Sequence, residues 1–256
     1  MTEPWRLQTI IDALGLPADA RVNTRVPKKM LVEQGAPTAA DKRAIQDGID
    51  EISWIGALKP NTVGIRAFSD ETREYLEIAV LMVSFRAGAK SARLVELIHR
   101  AIPYPLLLIA ETAEGFTLSI AHKRYAQNEA GKVVIETSIS TRPMGKPEPG
   151  DIELAFLAGI AVARQSPTHL FALYEGWRAR IEALSAAGLT GAFAASDEPQ
   201  AIALRRAALA SHERLTREAA VLRARAGKEK QMNKRVELNV EIRRLEAAAQ
   251  EALKEM

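Results

Sequence analysis

Cysteine is absent from the 256 residues. That excludes a disulfide framework, thiolate metal sites and a cysteine nucleophile, and it fits a reducing, cytoplasmic setting. Histidine is scarce. His99, His122, His169 and His212 are scattered, without the HxH or HExxH spacing that puts two imidazoles on one side of a helix, so each is expected as a surface or half-buried residue. No apolar run approaches the roughly 20 residues a membrane helix needs. The opening MTEPWRLQTIIDALGLP lacks the basic segment and apolar core of an export signal. No serine stands in a GxSxG context, and GAKSARL at 88–94 lacks the first glycine and the spacing of a phosphate-binding loop. Any ATP hydrolysis is therefore expected from a partner, and no motif asks for a cofactor or a resident metal.

What is present is the composition of an ordinary soluble chain, 47% hydrophobic and 26% charged, long enough for one large domain or two small ones. The net charge of +3 conceals an asymmetry. Residues 1–146 carry 19 basic and 17 acidic side chains, residues 147–204 carry 3 and 7, and residues 205–256 carry 13 and 8. From Arg205 to Arg235 the cations Arg205, Arg206, Arg214, Arg217, Arg223, Arg225, Lys228, Lys230, Lys234 and Arg235 face only Glu213, Glu218 and Glu229. Such a stretch fits an anionic partner such as nucleic acid, with a solvated helix face as the plainer alternative.

The periodicity changes along the chain. Leu7, Ile10, Ile11 and Leu14 mark a helix ended by Gly15 and Pro17, and Thr38 N-caps a second helix carrying Ile45, Ile49 and Ile52. SWIGALK, TVGIRAF and the long REYLEIAVLMVSF read as strands, followed by a helix from Ser91 to Ala101. YPLLLIAE and FTLSIAHKRYA form a hairpin across Glu114-Gly115, and KVVIETSIS adds a strand after Gly131. The proline- and glycine-rich TRPMGKPEPGD is placed as a linker, dividing an α+β domain (1–146) from an all-helical region (147–256). Near the end, Leu238, Ile242, Leu245, Ala249 and Ala252 step by 4, 3, 4 and 3, and Leu215, Ala219, Leu222 and Ala226 do the same earlier. The two seams are out of phase around Gly227, so a helical hairpin or a coiled-coil arm that needs a partner helix is expected.

LPADARVNTRVPKKMLVEQG, IPYPLLLIAE followed by HKR, and KEKQMNKRVELNVEIRRLE together resemble the bacterial family catalogued as domain of unknown function 4391, from Leu16 to about Leu245. The resemblance implies no reaction. It implies a companion of Swi/Snf-type or DEAD/DEAH-type helicases and adenine DNA methyltransferases in restriction-like and phage-defence loci, an accessory subunit acting on or near DNA.

Three sets of side chains could carry function. The order helix, strand, strand, long strand, helix, strand from Ala39 to Glu111 is that of a restriction-nuclease core, which uses an acidic residue and a Glu-x-Lys to hold a metal and activate water. Here the available acids are Glu51, Asp70, Glu74 and Glu77, and the lysine is missing, since Ala79 and Leu76 stand two residues after Glu77 and Glu74. A divergent nuclease is thus the enzymatic alternative to a catalytically silent fold. For nucleic acid, the basic stretch is joined by Lys28 and Lys29, expected on a strand, and by Lys123 and Arg124 beside Tyr125 at a strand end. For a protein partner, Asn233, Val236, Leu238, Asn239, Val240, Ile242 and Leu245 read as a docking helix in which Asn233 fixes register. A self-assembling scaffold that pairs this arm with itself is the third reading.

Overall fold

IAVLMVSF and LLLIAET are apolar at nearly every position, the pattern of strands covered on both faces, and they form the centre of the sheet. The computed structural model describes residues 5–127 and 133–256, so Gly131 and Lys132, at the expected start of the KVVIETSIS strand, lie outside the described residues. In chain order the elements are α1 (Leu7–Leu14), β1 (Arg21–Arg25), α2 (Lys28–Gly35), α3 (Ala39–Gly48), β2 (Ile49–Leu58), α4 (Pro60–Val63), β3 (Phe68–Ser69) and β4 (Glu74–Tyr75). They continue with β5 (Ile78–Phe85), α5 (Ser91–Ala101), β6 (Leu106–Thr112), β7 (Gly115–Tyr125), β8 (Val133–Ser140), α6 (Asp151–Gly159), α7 (Leu170–Thr190), α8 (Pro199–Ala226) and α9 (Met232–Ala252). By packing, the chain divides into two units, Met1–Ile181 and Glu182–Met256.

The first unit is built on a mixed sheet of order β1-β2-β5-β6-β7-β8, antiparallel except for β5 and β6, which run parallel and are joined through α5. One face packs on α2, α3 and α5 through Leu31, Ile45, Ile52, Leu81, Val83, Leu94, Leu97, Ile98 and Leu108. The alternate residues Val80, Leu107, Ile109 and Ile120 are equally buried on the other face, the side of Tyr174 and Trp177 on α7. Thr38 caps α3 as its sequence implies: its Oγ1 accepts from the Asp41 amide at 3.1 Å, and its hydroxyl donates to Asp41 Oδ2 at 2.7 Å. Arg93 of α5 then clamps Asp41 with two bonds of 2.9 and 3.0 Å, which hold this carboxyl below its usual range.

Several readings change. The helix capped by Thr38 ends at Gly48, so Ile49 and Ile52 lie on the strand β2. TVGIRAF is not a strand: Pro60 at the first helical position starts the short α4, which ends at Gly64 in the left-handed region (φ 69°), and only Phe68–Ser69 is extended. The predicted long strand breaks between β4 and β5 at Leu76–Glu77. Lys28 and Lys29 begin the helix α2 behind Pro27. Finally, the proline- and glycine-rich segment lies inside the first of the two units, Met1–Ile181. The segment is held locally: Met144 bridges to Phe116 and Gly145 accepts from the Trp5 amide at 2.9 Å, while Trp177 of α7 donates to the Ile160 carbonyl at the end of α6 at 2.8 Å.

The second unit contains the hairpin of α8 and α9. Gly227 closes α8, and the short link to Met232 makes the two helices antiparallel neighbours. Ile242 and Ala249 of α9 and Leu215, Ala219 and Ala226 of α8 are buried, while Leu222, Leu238 and Leu245 are half-buried. The two out-of-phase seams therefore pair with each other inside one chain. Ile242→Ala is expected to cost the hairpin about 2–4 kcal/mol, whereas the exposed Val236→Ala changes stability by less than about 0.5 kcal/mol. Urea denaturation followed by circular dichroism separates the two.

Candidate functional site

The acids proposed for metal chemistry do not converge. Glu51 faces Ser84 at one end of the β2–β5 ladder, whereas Glu77 precedes Ile78, which pairs with Leu58 at the other end, a separation of roughly 20 Å at strand rise. Each also has another task. Glu51 lies 3.9 Å from Arg25 and Glu77 3.0 Å from Lys59. Asp70 accepts from the amides of Thr72 and Arg73 at 2.7 and 2.8 Å, shaping the β3–β4 turn, and Glu74 is exposed on β4. Among the described residues no group of three or more His, Asp or Glu side chains could hold a metal ion.

Lys28 and Lys123 are occupied by the fold. The Lys28 ammonium donates to the Ile49 carbonyl, while Lys29 is exposed and pairs with Glu33 at 3.7 Å. Lys123, expected at a solvated strand end, is only 5% exposed. Its ammonium donates to the carbonyls of Ile102 and, at 2.7 Å, Tyr104, at the C-terminal end of α5, where a cation complements the helix dipole. Burial nonetheless pulls its pKa from 10.5 down to about 7. Arg124 donates to the Tyr125 carbonyl at 3.2 Å.

Lys123 is buried because β7 leaves β6 at this point. Their ladder runs out at Leu107–Ile120. Where the next pair would form, the Tyr174 hydroxyl stands between the strands, accepting from the Ala121 amide at 2.9 Å and donating to the Leu106 carbonyl at 2.7 Å, with the Leu106 amide and Ala121 carbonyl at 3.3 and 3.2 Å. The next residue, His122, is also buried. Its Nδ1 lies 2.5 Å from the Tyr75 hydroxyl, and its Nε2 lies 2.8 Å from Glu175 Oε1 but off the line of a well-directed hydrogen bond. Burial drives the Tyr75 and Tyr174 phenols far above their ordinary pKa, so neither is a nucleophile.

A cleft of about 1370 Å³ opens between α5 and the β7–β8 ladder. At its floor His99 Nε2 lies 2.9 Å from Ser119 Oγ, which receives a bond from Ser140 (2.9 Å) and donates to the Ile139 carbonyl (3.3 Å). With the Ser119 proton committed to Ile139, His99 must donate through Nε2, which leaves Nδ1 as an acceptor. It has no partner among the described residues. Ser119 is fully buried, and burial together with the Lys123 charge lowers the His99 pKa to about 3, so this pair is a poor base and a poor nucleophile. Nothing in the spacing of the histidines pointed to it.

The basic stretch separates into two groups. Arg205 is buried and donates to the carbonyl of Ala194 at 2.6 Å and to that of Met256 at 3.4 Å. Arg206 pairs with Glu182 at 2.8 Å and Arg214 with Glu218 at 3.0 Å, while Arg217 and Arg223 pair with Glu213 and Glu246. Arg225, Lys228, Lys230, Lys234 and Arg235 are exposed and have no ion-pair partner among the described residues. These five lie at the turn of the hairpin, between the end of α8 and the first turn of α9. Of the docking residues, Leu238, Ile242 and Leu245 belong to the seam within the hairpin, whereas Asn233, Val236, Asn239 and Val240 are exposed. No helix among the described residues is long and apolar enough to cross a membrane.

Sheet, cleft and hairpin define a mixed α/β protein with a C-terminal helical region and, among the described residues, no convergent catalytic set. Residues 14–248 match the family described as domain of unknown function (DUF4391), and the chain belongs to that family. No curated protein and no solved structure matches it.

Proposed function

We propose that the protein is a non-catalytic accessory subunit that engages DNA through the turn of its α8–α9 hairpin, in a restriction-like or phage-defence complex with a helicase or DNA methyltransferase. The observation that carries this reading is the clustering of five unpaired cations at one end of a stiff helix pair, while the other arginines of the stretch are already neutralised or buried. The setting rests on the family resemblance. Phosphate contact of this kind carries affinity without sequence preference. Fluorescence anisotropy of labelled duplex and single-stranded DNA over a salt series tests it. About five phosphate contacts give a log–log slope of roughly −4 to −5 on duplex. Changing Arg225, Lys228, Lys230, Lys234 and Arg235 to alanine should weaken binding at least tenfold and flatten the slope, whereas Arg214→Ala with Arg217→Ala should change little. Equal losses in both variants would remove the turn from the interface, and no binding by the intact chain would end the DNA reading.

A self-assembling scaffold is the second reading, favoured by Met232, Val236 and Val240, which are 62%, 54% and 63% exposed at a spacing of four along α9. A monomer by light scattering at micromolar concentration excludes it.

A further inference from the structure

The cleft beside α5 has the features of a ligand site that the hairpin does not explain. It opens at the carboxyl ends of β5 and β6, the parallel pair, where Arg86 to Ala89 and Thr112 to Glu114 form its rim. In open α/β sheets this is where ligands sit. Ser91 and Ala92 of the first turn of α5 line it. No side chain caps that turn, and the amides of Ala92 and Arg93 have no acceptor among the described residues, in contrast to α3 under Thr38. Gly88, three residues before the helix and at φ 77°, also lines the cleft, and a Cβ there would meet nothing within 4 Å. A helix start of this kind receives phosphate. Deeper in the cleft, whose lining also includes Thr117 and Ser140, His99 is 1% exposed and its Nδ1 is an acceptor that lacks a donor among the described residues. The carboxylates on the cleft are Glu96, neutralised by Arg93 at 2.6 Å and Arg100 at 2.9 Å, and Glu114 at the rim.

We propose that this cleft binds a nucleoside phosphate, with the phosphate on the first turn of α5, the sugar along the Thr117 and Ser140 hydroxyls, and an N–H of the base donating to His99 Nδ1. From Ala92 to His99 the helix rises about 10 Å, comparable to the length of a nucleoside monophosphate. The ligand is either a free nucleotide or the phosphorylated end of a strand, since the recognised chemistry is the same.

Isothermal titration of the full chain with AMP, GMP, CMP and UMP tests the assignment, alongside the four nucleosides and inorganic phosphate. At least one monophosphate should bind tenfold or more tightly than its nucleoside or phosphate alone. Gly88→Asp places a carboxylate before the helix start. Aspartate tolerates the left-handed region, and an acid there favours the helix, so the fold should hold. This variant should lose monophosphate binding at least tenfold, and His99→Gln should weaken recognition of the base. A dinucleotide with a 5′ phosphate binding better than the monophosphate and than its 5′-hydroxyl form identifies a strand end; equal binding of monophosphate and dinucleotide identifies a free nucleotide. No binding of any monophosphate at millimolar concentration, or undiminished binding by Gly88→Asp, overturns the proposal. Neither result bears on the hairpin, whose cations are absent from the cleft.

Discussion

Tyr174→Phe should lower the stability of the sheet unit by about 2–4 kcal/mol, a larger effect than most single-atom deletions produce. The ring stays, so packing against Tyr75 and Trp177 is kept. What is lost is the one hydroxyl that satisfies the backbone of Leu106 and Ala121, both fully buried, where β6 and β7 part. Each orphaned amide or carbonyl in such a place costs about 1–3 kcal/mol. Trp5, Trp54 and Trp177, the three tryptophans, all lie in the first unit, so fluorescence-monitored thermal unfolding reports on that unit. At roughly 2–4 °C per kcal/mol for a chain of this size, the thermal midpoint should fall by about 4–16 °C. An unchanged midpoint would mean that the strands close on each other without the phenol.

The second large effect is acid sensitivity set by His99. Its pKa is about 3 in the folded chain against 6.5 when exposed. Between those values the unfolded chain holds the extra proton, so stability is fully present above about pH 6.5 and is lost as pH falls toward 3. At 1.36 kcal/mol per pH unit, the loss from pH 7 to pH 4 is roughly 3 kcal/mol. His99→Gln can still donate to Ser119 but does not titrate. Its stability should stay nearly level from pH 6.5 to pH 4.5, below which carboxylates such as Asp41 take over in both proteins. Parallel curves for parent and variant would remove His99 as the cause. On the alkaline side, Lys123 is depressed from 10.5 to about 7, so the folded chain holds fewer protons in that window and stability should rise from pH 7 toward 10.

Much of the architecture is readable from residue order because local chemistry and tertiary need agree. Ser91 to Ala101 is a helix at the positions its apolar stripe implies, the turn at Glu114-Gly115 joins β6 to β7, and Gly227 falls where two seams lose phase. The failures come from residues whose neighbours in space overrule their neighbours in sequence. HKRY reads as a polar strand end, but the parting of β6 and β7 draws His122 and Lys123 inside. In VPKK the alternation suggested a strand, yet Pro27 opens a helix. A long basic run says nothing of which arginines meet a glutamate one turn away or across the hairpin, and that pairing decides which cations remain at the turn. The α5 cleft was invisible because its parts come from a helix start, a lone histidine and two serines far apart in the chain.

The Tyr174 hydroxyl also imposes an order on synthesis. Ala121 and Tyr174 are 53 residues apart, and at roughly 5–20 residues per second a ribosome needs about 3–10 s to make the intervening chain. Throughout that interval β7 is complete but its junction with β6 lacks the group that closes it, so the nascent sheet exposes an open seam until α7 emerges. A chaperone that binds extended, half-paired strands would find its substrate in that window. Slowing translation between codons 121 and 174 should therefore lower the yield of folded protein more than the same delay placed after codon 181.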